Sequence, residues 1–218
     1  MSETLIPTPL PNAQAHFGTR HIENLAQATQ LLGHIASMHQ VHGTTLTLAT
    51  EATQYPTCDA LYTTTPGLWL AVKTADCTPC LISTPHAVAA LHLGWRSAQA
   101  GLLPQTLTTL QTQFSLNPND IHLSFGPSLS QPHFEVEDTF PAAFSVPNQP
   151  PYFAPSKPGY VLMNLPAILT HQATTFGIPA TNIQTSNHCT YAQANLFHSY
   201  RRNKTNPGRQ LSFIKFTP

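Results

Sequence analysis

The chain has 218 residues, 41% of them hydrophobic and only 8% charged, and its nine Lys+Arg balance nine Asp+Glu to a net charge of zero. This excludes a disordered chain, which would lack the apolar content to bury a core, and a nucleic-acid binder acting through a basic stripe. No apolar run approaches the ~18 residues of a membrane span; the opening MSETLIPTPLPNAQ lacks the features of a secretory leader, and four scattered cysteines make no disulfide framework, so we expect a cytoplasmic protein.

In chain order, Phe17 to Arg20 reads as a turn that leaves Arg20 available to an anion. Asn24 to His34 has Leu25, Ala28, Leu31 and Leu32 at helical spacing, with Gly33 near its end. Thr44 to Ala49 alternates like a strand. Just before it stand His39 and His42, three apart. On a helix they would share a face; on a strand they point to opposite faces. The segment runs straight into a strand, so one of them is expected at a site, and His42, beside Gly43, is the choice.

From Leu68 to Gly101 the chain has the character of a buried sheet: LWLAV leads to Asp76-Cys77, and AVAALHL carries His92 and ends in Gly94-Trp95-Arg96. A thiol and an imidazole in such surroundings need partners, because a polar group buried alone is costly. Ser97 can cap a helix running to Phe114, with Leu103, Leu107 and Leu110 on its apolar stripe and a kink at Pro104. Ile121 to Phe125 is a strand stopped by Gly126-Pro127, and Ser145 to Gly159 is a Pro-rich loop. A helix capped by Asn164 runs to Phe176 and is closed by Gly177 and Pro179. Ile183 to Ser186 and Leu211 to Phe216 are further strands, with the donor-rich turn of Arg201, Arg202 and Arg209 between them. Strands and helices mix without a strict βαβ rhythm, and neither repeat nor linker divides residues 1–218, so a single domain is expected.

The Cys77-x-x-Cys80 pair fits neither familiar reading. A structural zinc site wants a second such pair. A dithiol redox site wants its first Cys at a helix N-terminus, and here a strand follows. Cys80 is read as a small core hydrophobe. His42, Cys77 and His92 together form a donor set that zinc prefers, and three ligands leave a fourth position open for catalysis. These residues are far apart in sequence, and taken singly a satisfied core histidine and a buried thiol explain them as well. His16, His21, His34, His86, His122 and His171 read as polar filler on a chain poor in charge.

Several stretches taken together point further: HQVHGTTL at 39–46, CDALYT at 58–63, TADCTPCLI at 74–82 and LHLGWRSAQAGLL at 91–103. FGPSL and FEVED follow between 125 and 138, then NHCTY at 187–191, LFHSYRRN and GRQLSFI. In these the chain resembles the YfiH family, the multicopper polyphenol oxidase or laccase-domain proteins, associated with purine nucleoside phosphorolysis and deamination. The resemblance implies an α+β fold, a mixed β-sheet core flanked by helices. It implies zinc on His42, Cys77 and His92, with copper as the alternative metal.

It further implies a purine nucleoside phosphorylase acting on inosine, adenosine, guanosine or methylthioadenosine, with adenosine deamination as a second activity. Its partners would be purine nucleosides and phosphate, with no nucleic acid or membrane, in a monomer or homodimer. Arg96 would join the three ligands at the reaction centre, and Arg20, Lys73, Arg201 and Arg209 are the cations that could hold phosphate. Three other readings stand beside this one. Cys77 and His92 could form a metal-independent pair for amide or acyl hydrolysis, or the domain could bind a partner without catalysis. Copper-dependent phenol oxidation ranks low, because one cluster cannot supply a type-1 copper and a trinuclear centre. The chain departs from the family pattern at Ser97, which stands in place of glycine, and at His133, a polar group that could face the site. Lys73, unexpected in a buried strand, would pair with Asp76 or Glu135 or face an anionic substrate.

Overall fold

A computed structural model describes residues 4–218; Met1–Glu3, the first residues of the opening considered above as a leader, lie outside them. One six-stranded sheet runs in the order Leu5–Pro7, Ala13–Gly18, Gln210–Phe216, Trp69–Thr74, Ile35–Met38, Gln54–Tyr55. A second runs Ile183–Thr185, His122–Phe125, Thr78–Ser83, Val88–Leu93, Ala60–Thr63, Leu46–Leu48. Both are mixed. Trp69–Thr74 pairs antiparallel with Gln210–Phe216 and parallel with Ile35–Met38, while Ile183–Thr185 joins the second sheet in parallel. The fold is α+β in a single domain.

The continuous apolar runs follow from burial on both faces. Leu70 and Val72 turn inward to meet Leu81, Val88 and Ala90 between the sheets, while Trp69 and Ala71 turn outward to Ile22 and Ala28. The outer side of the second sheet, at Ile82, Ala89 and Leu91, is covered by Leu103, Leu107 and Leu110 and by Ile168 and Leu169. A strand covered on both sides has no polar face to alternate with.

Helix α1 (Leu25–Leu32) starts where the Asn24 side chain accepts from the Gln27 amide at 2.9 Å and ends at Gly33, φ 90°. The expected kinked helix from Ser97 is instead two, α2 (Trp95–Gln99) and α3 (Leu102–Phe114), separated by Gly101 at φ 83°. Gly94, not Ser97, precedes the first turn, and the Ser97 hydroxyl donates back to the carbonyls of His92 (3.0 Å) and Gly94 (3.1 Å). Pro104 lies in the first turn of α3, where its missing N–H would have no intrahelical partner, so it produces no kink. Helix α4 (Leu165–Phe176) is capped by Asn164, which accepts from the Ala167 amide at 3.2 Å, and closed by Gly177 at φ 108°.

The Pro-rich stretch is not all loop. Phe153–Pro155 pairs with Tyr160–Met163, which also pairs with Glu135–Glu137 to form a three-stranded sheet. The strand expected over Thr44 to Ala49 narrows to Leu46–Leu48. Most consequential is the passage from Thr74 in the first sheet to Thr78 in the second, made by Ala75, Asp76 and Cys77 alone. Asp76 takes φ 89° to make it. This crossing presents Cys77 at the junction of the two sheets.

Candidate metal centre

Each of the three candidate ligands arrives from a different element. Cys77 ends the crossing, His92 lies near the end of Val88–Leu93, and His42 sits in the loop after Ile35–Met38 with φ 61°. Their ligand atoms lie within 4.8 Å of one another, and Cys77 Sγ is 3.9 Å from His42 Nε2. Around a tetrahedral zinc ion with ordinary bond lengths, nitrogen and sulfur ligands sit roughly 3.5 Å apart, so these donors fit a metal. This is the one such His/Cys/carboxylate group among the described residues. His39 lines the same cavity but is outside the group, so only one of the two histidines reaches it.

Gly94 makes the approach possible. A Cβ there would stand 3.0 Å from His42 Cδ2 and 3.1 Å from Cys77 Sγ.

Asp59, fully buried, organises the cluster. Its Oδ1 is 2.8 Å from His92 Nδ1 and also accepts from the His42 amide at 2.9 Å. Its Oδ2 accepts from the Val41 and Gly43 amides at 3.1 and 2.7 Å. With Nδ1 so engaged, His92 keeps Nε2 for a ligand role. Burial would raise the Asp59 carboxyl, but His92 and the Gly43 and Val41 amides outweigh it and hold it below the ordinary carboxylate range. Burial would lower His92, but Asp59 and Cys77 raise it to about 9. Burial would raise the Cys77 thiol, but the two imidazoles hold it down to about 6. The site is built to keep a thiolate.

His42, Cys77 and His92 line a cavity of about 860 Å³, together with Trp95, Phe134, Val136, Phe140 and Leu165. Lys73, Arg96, Arg201 and Arg209 line it; Arg20 does not. The Arg20 guanidinium is spent on the Ala194 carbonyl at 2.6 Å, on the exposed surface. Arg201 donates through both terminal nitrogens to the Glu135 carbonyl (3.1 and 3.2 Å), fastening the wall. Arg96 lies over the Trp95 ring at 4.2 Å.

Lys73 pairs with neither acid considered for it. Glu135 is held by Lys157 and Ser156, both at 2.8 Å. Asp76 accepts from Thr190 Oγ1 (2.7 Å), Ser199 Oγ (3.1 Å) and the Arg201 amide (2.6 Å). His133 does not face the site; it stacks on Tyr191 at 4.6 Å. Two contributors went unread in the sequence: Asp59, and Gln40, whose side chain exchanges two hydrogen bonds with the Lys73 backbone at 2.7 and 2.9 Å. For Asp59 the signal was present, since an acid at the start of a buried strand needs partners as much as a thiol does.

A family model described as multi-copper polyphenol oxidoreductase laccase matches residues 15–217. The chain belongs to this family. Within the laccase-domain family it is 33% identical over 221 residues to the Escherichia coli purine nucleoside phosphorylase YfiH, covering 97% of this chain and 88% of that protein. It is 35% identical over 183 residues to a Haemophilus influenzae purine nucleoside phosphorylase, covering 81% of this chain and 72% of the relative. The crystal structure of YlmD from Geobacillus stearothermophilus superposes with a TM-score of 0.91 at 24% identity, covering 100% of this chain and 98% of the other, a likeness of fold. Among the described residues, no helix is long and apolar enough to cross a membrane.

Proposed function

We propose that the chain is a zinc-dependent purine nucleoside phosphorylase. The observation that supports this most is the convergence of His42, Cys77 and His92 in a cavity that Lys73, Arg96, Arg201 and Arg209 also line. The names of its relatives point the same way. Phosphorolysis passes through a ribosyl-cation-like state and needs an anchored phosphate and a proton for the departing base. Lys73, Arg96 and Arg209 line the cavity and are the groups we assign to phosphate; Arg201 adds charge while holding the wall. Phe134, Val136 and Phe140 give the base an apolar surface and keep water from it. His42, Cys77 and His92 would hold the ion, which supplies the Lewis acidity that adenosine deamination at the same centre also requires.

Zinc suits two imidazoles and a thiolate. A blue-copper site would usually add a weak axial methionine, and none lines the cavity among the described residues. A second reading takes Cys77, His92 and Asp59 as a nucleophile, base and orienting acid for metal-free hydrolysis. The 2.8 Å His92–Asp59 contact favours it, but His42 beside the same sulfur is surplus to such a triad.

Metal analysis of the purified protein, with inosine and adenosine turnover measured with and without phosphate, separates these. Phosphate-dependent base release supports phosphorolysis, and inosine from adenosine supports deamination. One zinc per chain with neither reaction contradicts the proposal. Hydrolysis that survives chelation but not thiol alkylation selects the second reading. Lys73→Ala should raise the KM for phosphate about tenfold, the loss of one hydrogen bond to a charged group, while Arg20→Ala leaves it unchanged.

A further inference from the structure

The His42 loop and the His92 strand share no backbone pairing, yet the His42 backbone amide and the His92 imidazole are anchored to one carboxylate. Asp59 begins the run into Ala60–Thr63, the strand beside Val88–Leu93, and lies between the two histidines. Its Oδ1 contacts His92 Nδ1 and the His42 amide at once, and its Oδ2 takes the amides on either side of His42. The loop is tied at its shoulders by Gln40 on the Lys73 backbone and by the Thr45 carbonyl, which takes the Asp59 and Ala60 amides. Between them the Val41, His42 and Gly43 amides all donate to Asp59, with φ 61° at His42. We infer that Asp59 is a positioning residue that couples His42 to His92, so that the metal ligands are set as a unit rather than singly. This deepens the metal assignment proposed above and rests on it, but not on the nucleoside chemistry.

The coupling has a chemical consequence. An asparagine at this position keeps the volume of the side chain but has one accepting oxygen in place of two. It cannot serve His92 and all three loop amides, so at least one histidine loses its orientation. Losing an outer partner of a metal ligand typically weakens binding 10- to 100-fold. Were Asp59 to influence the metal without acting through His42, the effects of Asp59→Asn and of His42→Ala would add. Coupling makes them less than additive, because once His42 is gone the carboxylate has only His92 left to position.

The test is zinc affinity, read by competition with a chromophoric chelator, in the full chain and in Asp59→Asn, His42→Ala and the double variant. The expected result is a 10- to 100-fold loss for Asp59→Asn, shrinking at least threefold in the His42→Ala background, with the far-UV circular dichroism of the fold retained. An unchanged affinity, or strictly additive losses, would overturn the inference. Should Asp59→Asn fail to fold, amide exchange of the unaltered protein without metal decides. The Val41, His42 and Gly43 amides should exchange slowly, and faster in His92→Ala. Free exchange at all three, or no response to His92→Ala, would overturn it. That readout needs no metal, so a chain that takes up no zinc contradicts the metal assignment and still leaves the coupling to be decided.

Discussion

Two cysteines three residues apart on one strand entry meet opposite fates. Cys80 lies inside Thr78–Ser83, fully buried among apolar residues such as Leu91 and Leu123, and burial alone pushes its thiol well above the ordinary range. Cys77 stands one residue before the strand, half-buried at the sheet crossing, where two imidazoles outweigh the cost of its burial and hold it down to about 6. The sequence motif is identical at both ends of Cys-Thr-Pro-Cys; what differs is whether a cationic or hydrogen-bonding partner can reach the sulfur. Reactivity here is set by the sheet-to-sheet crossing that brings His42 and His92 to one of the two positions.

The sharpest way to break the comparison is Cys77→Ala. Metal content and turnover should both fall by more than the roughly 100-fold that an outer partner is worth, whereas Cys80→Ala keeps both. Equal loss in the two variants would mean that the pair works together.

Alkylation comes next. In metal-free protein Cys77 should react at neutral pH, with the rate falling to half near pH 6 as its thiolate is protonated, while Cys80 stays unreacted until the protein unfolds. Mass spectrometry of the labelled peptides reads this directly. The signs for stability follow. The depressed Cys77 pKa contributes stability that is lost as pH falls through about 6, and the raised His92 pKa contributes stability that is lost as pH rises through about 9. Between about pH 6.5 and 9 the two contributions change in opposite directions, so metal-free Tm should stay nearly level across that window.

A smaller effect is expected at Gly94→Ala. Its Cβ would press on His42 Cδ2 and Cys77 Sγ, and either must give by a few tenths of an ångström. Zinc affinity should drop roughly tenfold, or about 1.4 kcal/mol, with little change in Tm. Smallest is Cys80→Ala, which removes one buried atom from the core and should cost about 1 kcal/mol in denaturant unfolding, as deletion of a single buried methyl does.

The sequence disclosed the parts of this molecule that are local. Asn24, Asn164 and Gly177 mark helix ends because a cap or a positive φ is a property of one residue and its immediate neighbours. The doubly buried strands announce themselves as unbroken apolar runs, and His42, Cys77 and His92 stand out by chemistry and by family resemblance. Pro104 misled because a proline inside a helix and a proline in its first turn look alike until the break at Gly101 is located. The sheet built on Glu135–Glu137 was hidden by the prolines of its edge strand, which Pro155 can end because an edge has no further partner to serve. Arg20 looked as available as Lys73; only the folded chain spends one on the Ala194 carbonyl and leaves the other facing the cavity. Asp59 escaped notice because its work is long-range, reaching a loop 16 to 18 residues earlier and a histidine 33 residues later.

X-ray absorption at the metal edge of the purified protein tests the central claim most directly. The account predicts one zinc per chain with two nitrogen neighbours at about 2.0–2.1 Å and one sulfur at about 2.3 Å, the sulfur vanishing in Cys77→Ala. A bound metal with no sulfur neighbour, or protein purified without chelators that carries no metal at all, would contradict it.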